Sequence, residues 1–363
     1  MKKAIAILYS PKNLMDFLWL YLAIGKEYEW DVCCIPHGKE VVIREQARRS
    51  GIFNKVITDD AVFLHERILV KLLFFFRMFF FYITGRKKQF CKKHINKRFN
   101  YDEYNLIVTT PENSLLGGFL ISLSDEKETI ILEDGTRDYL KRVNVFSIRE
   151  FNKETLVSIV GGIMSYLGYG EPSMTHPFSP TKNCTKYVSY PENLNYRNYN
   201  KICKLNDLSL VNHDEYIEIL TKTFDLKLPQ YNMDAILYTS PFEEDFSDSN
   251  FAKSSIEEYI NRNYKNRIVG IKCHARDKAK YSFNESVNVI FLDETIPGEI
   301  LKKVYKESTS LFMWPSTLAF GMIDNYTIFF FEKTASMSSN YNWKSFINII
   351  EIMKLDINRI KCI

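Results

Sequence analysis

Two doubly wound α/β domains in tandem are the architecture that this 363-residue sequence predicts. Three observations predict it. Short, continuously apolar runs recur along the chain, each closed by polar, Gly or Pro residues, which is how strands buried on both faces of a parallel sheet read. The runs fall into two sets, separated by a Pro-, Asn- and Tyr-rich stretch from about Gly170 to Asn200, as two separate α/β units would. The length also suffices for two domains of ordinary size, each burying its own core.

In the first set the strands are Ala4–Ser10, Asp31–Ile35, Asn105–Thr110 and Thr129–Leu132. In the second they are Ala235–Thr239, Arg267–Lys272, Val287–Leu292, Ser310–Trp314 and Thr327–Phe331, with helical stretches between. The opening Met1-Lys2-Lys3 and its apolar run resemble a secretion signal. The run stops at Tyr9-Ser10-Pro11-Lys12 with no small-residue cleavage site, so a buried first strand is the better reading. The domains are expected at 1–185 and 186–340. The tail 341–363 contains a helical pattern over 342–356, and such a tail often crosses back onto the first domain.

Composition narrows the function classes. Hydrophobic residues make up 46% and charged residues 25%, a globular balance. A formal charge of +4 is too mild for a nucleic-acid partner. The 22 Tyr and 27 Phe fit an aromatic core, and fit sugar-stacking or membrane-facing surfaces as well. Seven scattered cysteines without Cys-x-x-Cys spacing read as reduced cytoplasmic thiols, against a disulfide framework or a zinc site.

Doubly wound sheets bind ligands beyond the carboxyl ends of their strands, so residues directly after each run carry the candidate chemistry. After Ile130-Ile131-Leu132 come Glu133, Asp134 and Gly135. A carboxylate at a cleft mouth can serve as general base toward a sugar hydroxyl, with Gly letting the chain turn sharply; a solvated Asp-Gly turn is the simpler alternative. After Val269-Gly270-Ile271 come Lys272, His274 and Arg276 at alternate positions. That set offers donors for a phosphate and an imidazole able to protonate it near neutral pH; a basic surface turn would read the same. Ser316 and Thr317 follow a strand and Pro315, where hydroxyls and helix-start N–H groups form an anion site or an ordinary N-cap. Pro297 and Glu299 open another helix, where an acid suits the dipole and can also accept from ribose hydroxyls. Thr239, and Asp245 a little further on, close the Ala235 run, as ligand contacts or as a plain loop.

The order of these motifs along the chain resembles the bacterial lipooligosaccharide sialyltransferases of glycosyltransferase family 52 and the related capsule polysialyltransferases. Those families carry an acidic-acidic-Gly motif, a His-Pro motif and a Ser-Ser or Ser-Thr motif, matched here by Glu133-Asp134-Gly135, His274-Ala275 and Ser316-Thr317. Ile296-Pro297-Gly298-Glu299 is similar to their Pro-x-Glu element. The match departs at Ala275, which stands where the family has Pro.

The resemblance implies a GT-B fold, two Rossmann-like doubly wound domains facing each other across a cleft. Residues 1–185 would then be the acceptor side and 186–340 the nucleotide-sugar side. It implies inverting, metal-independent transfer of sialic acid from CMP-sialic acid to a lipooligosaccharide or capsule glycan, with no cofactor. Glu133 or Asp134 would be the base, with Asp245 a second candidate. His274 would donate to the leaving phosphate, Ser316 and Thr317 would hold it, and Glu299 would meet the ribose. Gly135, Thr239, Lys272, Arg276 and Pro297 complete the expected substrate contacts. A homodimer is compatible with the resemblance. Two alternatives stay open: a GT-B enzyme using another donor such as a UDP-hexose, and a non-catalytic glycan-assembly subunit.

Ile68–Ile83 is about 16 residues of mostly aromatic and aliphatic side chains with two charges, too short and interrupted for a span. Seven basic residues follow it: Arg86, Lys87, Lys88, Lys92, Lys93, Lys97 and Arg98. Apolar mass beside a polybasic patch suits peripheral contact with the anionic inner membrane, at about 1 kcal/mol per basic side chain. A buried core helix or a dimer contact are the other readings.

Overall fold

A computed structural model describes residues 1–35, 40–58, 77, 80–81, 83–110, 115–133, 183–194, 199–226, 233–239, 248–274, 277, 279–301, 310–313, 326–330, 351 and 357–362. The chain divides into two compact units, Met1–Asp225 and Leu226–Ile363. Each is built on one wholly parallel sheet.

The first unit's strands are β1 (Lys2–Leu8), β2 (Tyr28–Cys34), β3 (Phe53–Thr58), β4 (Leu106–Thr109), β5 (Glu128–Leu132), β6 (Thr185–Val188) and β7 (Lys201–Lys204). They lie in the order β3-β2-β1-β4-β5-β6-β7, the Rossmann sequence 3-2-1-4-5 prolonged by two more strands, with its reversal between β1 and β4. The central strands are buried on both faces, Ala4–Leu8 in β1 and Leu106–Thr109 in β4, which is why their sequences run apolar without alternation.

Helix α1 (Pro11–Leu20) starts directly after β1. The Ser10 hydroxyl accepts from the Asn13 N–H at 3.2 Å, and Pro11 sits in the first turn, where its missing N–H is no loss. Phe17 on α1 meets Trp30 of β2 edge-on at 4.8 Å and stacks on Phe53 of β3 at 5.2 Å. Helix α2 (Glu40–Ser50) packs beside α1 on β2 and β3. Helices α3 (Lys87–Ile95) and α4 (Leu115–Ile121) pack against each other, with Phe90 edge-on to Phe119 at 5.9 Å. Helix α5 (His213–Phe224) closes the unit against α1 and α2.

The second unit holds β8 (Ala235–Tyr238), β9 (Ile268–Lys272), β10 (Asn288–Leu292), β11 (Ser310–Met313), β12 (Ile328–Phe330) and β13 (Ile360–Cys362). Their order, β10-β9-β8-β11-β12-β13, is 3-2-1-4-5-6 counted from β8, with the reversal between β8 and β11. Helix α6 (Ser249–Asn263) covers one face through Ala252, Ile256 and Ile260. Gly270 in the middle of β9 is required by close approach: a Cβ there would run into the Met233 sulfur. The short helix α7 (Gly298–Leu301) follows β10.

All nine strands expected from the sequence are present, within a residue or so at each end except β1 and β2, which begin two and three residues earlier. The boundary at 185/186 is corrected. β6 and β7 hydrogen-bond onto β5, and α5 belongs to the same unit, so the first unit continues to Asp225. Part of the supposed interdomain stretch is therefore the interior strand β6. The last described residues of the tail form β13, paired with β12 at the edge of the second sheet. Of the helical pattern over 342–356 only Glu351 is among the described residues, and it is helical. The described cysteines form no disulfide.

Candidate functional site

In the first unit, β5 delivers Glu133 directly beyond its last residue. Glu133 is 7% exposed, and its Oε2 accepts from the Ser189 N–H at 2.5 Å. Ser189 follows β6, so the carboxylate bridges the carboxyl ends of two neighbouring strands. Lys186 pairs with Ile131 across the β5–β6 ladder, which puts it on the same sheet face as Glu133, two residues along from Ile131. Lys186 is 0% exposed; its Nζ donates to the Leu132 carbonyl at 3.3 Å and lies over the Tyr199 ring at 5.8 Å. A lysine is almost never fully buried without such compensation. The peptide joining Leu132 to Glu133 is thus held by a buried cation on one side and the acid's own bond to Ser189 on the other.

In the second unit, β8 and β9 are adjacent, with Tyr238 opposite Lys272. Their continuations therefore meet beside the reversal of strand order, where doubly wound sheets bind ligands. The Thr239 N–H donates to the Lys272 carbonyl at 3.1 Å, and the Thr239 Oγ1 accepts from the His274 N–H at 2.9 Å. Lys272 is buried, with Nζ 3.5 Å from the Cys273 carbonyl; His274 itself is exposed. The His274 carbonyl accepts from the Asp277 N–H at 2.9 Å. Burial pushes the neighbouring Cys273 thiol up, chiefly by desolvation, so it stays neutral.

The Pro297–Glu299 element is tied to the same strand end. Asp293 turns the chain after β10, its Oδ1 accepting from the Thr295 N–H at 2.8 Å and the Thr295 hydroxyl at 2.7 Å. The Tyr238 hydroxyl then donates to the Gly298 carbonyl at 3.5 Å. This holds the first turn of α7, with partly exposed Glu299 and buried Pro297, against the end of β8. The structure thus gathers Thr239, Lys272, His274, Pro297 and Glu299 at one edge of the second sheet. Asp134, Gly135, Asp245, Arg276, Ser316 and Thr317 lie outside the described residues. Among the described residues, no group of three or more His, Cys, Asp and Glu side chains is arranged to hold a metal ion.

Four residues around these sites carry no sequence motif: Lys186, Ser189, Asp277 and Tyr281. Lys186 interrupts an apolar run, which hid both the strand and the buried charge. Ser189 contributes only its backbone. Asp277 and Tyr281 lie in a segment without strand or helix, and the Tyr281 hydroxyl donates to Asp277 Oδ2 at 2.7 Å.

The aromatic and basic stretch is only partly among the described residues. Phe80 is 61% and Ile83 65% exposed, and Arg77, Arg86, Lys93 and Lys97 are exposed as well. Phe81 instead packs inward on Phe90 at 5.4 Å. Lys88 and Lys92 are engaged in ion pairs among the described residues. Lys92 bridges Glu126 at 2.8 Å and Asp102 at 3.5 Å, and Lys88 bridges Asp125 and Glu126. No helix among the described residues is long and apolar enough to cross a membrane.

Two parallel sheets in Rossmann order, each presenting polar side chains at its strand ends, are the architecture of the GT-B class. The chain belongs to glycosyltransferase family 52, whose family model matches residues 52–332. Among solved structures, it is similar to an alpha/beta-galactoside alpha-2,3-sialyltransferase from Photobacterium phosphoreum, at 11% identity and a TM-score of 0.49, covering 99% of this chain and 98% of that one. It is also similar to the UDP-GlcNAc 2-epimerase of Methanocaldococcus jannaschii, at 12% identity and a TM-score of 0.45, covering 97% and 92%. A third is the UDP-GlcNAc 2-epimerase from Neisseria meningitidis bound to UDP-GlcNAc, at 12% identity and 0.41, covering 95% and 85%. No curated protein sequence matches the chain.

Proposed function

We propose that this glycosyltransferase is an inverting, metal-independent sialyltransferase that moves sialic acid from CMP-sialic acid to a cell-surface glycan of the lipooligosaccharide or capsule type. The observation that carries the reading is the join of Thr239 to His274 at the strand-order reversal of the second sheet, in a chain of family 52. An imidazole at that edge is suited to a leaving phosphate.

In the proposed reaction Glu133 or Asp134 takes the proton from the acceptor hydroxyl as its oxygen attacks the anomeric carbon of the donor sugar. The bond from that carbon to the phosphate oxygen breaks, and His274 gives the departing CMP a proton. One bond forms and one breaks on opposite faces, so configuration inverts. Lys272, Ser316 and Thr317 offer a cation and hydroxyls to the phosphate, and Glu299 offers a carboxylate to the ribose. A monophosphate leaves with less charge than a diphosphate, which these groups can neutralise without a metal ion.

We further place the protein at the anionic inner face of the cytoplasmic membrane. The exposed pair Phe80 and Ile83 supports this, together with exposed Arg77, Arg86, Lys93 and Lys97, because apolar and basic groups together suit such a surface. Lys88 and Lys92 are spent on acids of the protein itself.

Incubation with CMP-sialic acid, and separately with UDP-hexoses, each with chelator present, tests the function. Release of CMP that disappears in a folded His274→Ala variant is the expected result. Release of UDP instead would move the donor to the UDP-hexoses, and turnover of neither would favour an assembly subunit without catalysis.

A further inference from the structure

We propose that Tyr281 and Asp277 are positioning residues for His274, acting through Thr239 in a closed circuit of hydrogen bonds that fixes the imidazole's backbone. The inference rests on the reading of His274 as the group that protonates the leaving phosphate.

The His274 N–H donates to Thr239 Oγ1 at 2.9 Å. The Thr239 hydroxyl is hydrogen-bonded in turn to the Tyr281 phenol. The Tyr281 hydroxyl donates to Asp277 Oδ2 at 2.7 Å, and the Asp277 N–H returns to the His274 carbonyl at 2.9 Å. The donor count admits one direction around this ring. Thr239 accepts from His274, so its single hydrogen goes to Tyr281, whose own hydrogen goes to the carboxylate. Each bond polarises the next, as in other hydrogen-bond networks. The His274 N–H is therefore held by the Thr239 side chain and its C=O by the Asp277 backbone, with Tyr281 joining the two holders.

The ring is anchored from outside. The second Asp277 oxygen accepts from the Ala279 N–H at 2.9 Å. The Ser282 N–H donates to Glu257 on α6 at 2.6 Å, and the Asn284 N–H to Asn261 on the same helix at 2.8 Å. Tyr281 and Phe283 stack with ring centroids 6.3 Å apart, and both pack on the core formed by Ile256, Ile260 and Ile271. Desolvation by burial, and then the Asp277 carboxylate, push the Tyr281 phenol far above its ordinary value. It thus stays a protonated donor throughout the neutral range. The sequence places Ala275 after the histidine, with no proline ring to fix the backbone there, and this circuit holds His274 instead.

Tyr281→Phe deletes one hydroxyl at nearly constant volume and opens the ring at its centre. Two readouts decide the matter: kcat and KM for CMP release from CMP-sialic acid, and hydrogen exchange at the His274 amide measured by mass spectrometry. The expected result is a kcat about tenfold lower, with KM within about twofold, and exchange about tenfold faster, since positioning acts on the transition state. Unchanged kcat in Tyr281→Phe overturns the proposal, whatever the exchange does. If the wild-type protein releases no CMP from this donor, the functional reading fails, and the exchange rate alone decides the circuit: acceleration supports it and an unchanged rate overturns it. Should Tyr281→Phe not fold, Asp277→Ala, which removes the acceptor of the Tyr281 hydroxyl, carries the same comparison.

Discussion

The Ser189 N–H donates to the Glu133 carboxylate at 2.5 Å, so the acid beyond β5 is fixed by the backbone beyond β6. Glu133→Gln keeps an oxygen to accept that bond while removing the ability to take a proton. Transfer is expected to fall about 10²- to 10⁴-fold, the usual worth of a general base, with the thermal midpoint nearly unchanged. Full activity in this variant would leave Asp134 as the base. Glu133→Ala would in addition strand the Ser189 N–H and cost about 1–3 kcal/mol of stability, measurable by urea unfolding.

Lys186 joins a fully buried ammonium to the Leu132 carbonyl at 3.3 Å. Lys186→Met keeps the stem and removes the charge-assisted bond. Unfolding free energy should drop by about 1.5–3 kcal/mol, as for bonds to charged groups. A variant as stable as the wild type would show that the cation does not hold the β5–β6 edge.

His94 on α3 is half-buried against Phe90, with ring centroids 4.1 Å apart, and its Nδ1 lies 2.8 Å from the Phe90 carbonyl. Desolvation is the main cause lowering its pKa below 6.5, with Lys97, Arg98 and Lys93 adding to it. The unfolded chain therefore takes up the proton first. Its contribution to stability is fully present above about pH 6.5 and is lost as the pH falls through the lower folded value. The urea midpoint should decline from pH 7 to pH 5, and His94→Phe should flatten that decline.

Charge reversal separates the two kinds of basic residue on and around α3. Reversing Arg86, Lys93 and Lys97 to Glu should weaken binding to vesicles containing phosphatidylserine by about 10²-fold or more, at roughly 1 kcal/mol per basic group removed. Stability should hardly change. Reversing Lys88 and Lys92 should instead lower stability, because each would then face the acids it now pairs with. Equal vesicle binding by wild type and triple variant would contradict the membrane placement.

Much of the fold was legible in the sequence because buried parallel strands leave a clear trace: β1, β4, β5, β8 and β9 each contain a continuous run of three or more apolar or Gly residues. Strands that break that rule were missed. In β6 the fully buried Lys186 stands inside Thr-Lys-Tyr-Val, and β7 and β13 are short edge strands with charged residues. β3 carries two exposed polar residues on the opposite edge. The domain boundary was misplaced for the same reason, since a lysine at 186 reads as linker until its partners Leu132 and Tyr199 are known. At the site, the motif residues could be read from their place after strands. Asp277 and Tyr281 could not, because their role depends on the His274–Thr239 bond across 35 residues of chain, which no local pattern encodes.

The most direct measurement is the structure of the protein with CMP bound. The account predicts that the phosphate lies within hydrogen-bonding reach of the His274 imidazole, at the edge where Thr239 and Lys272 leave the second sheet. A nucleotide seated with its phosphate at another strand end, out of reach of His274, would contradict it.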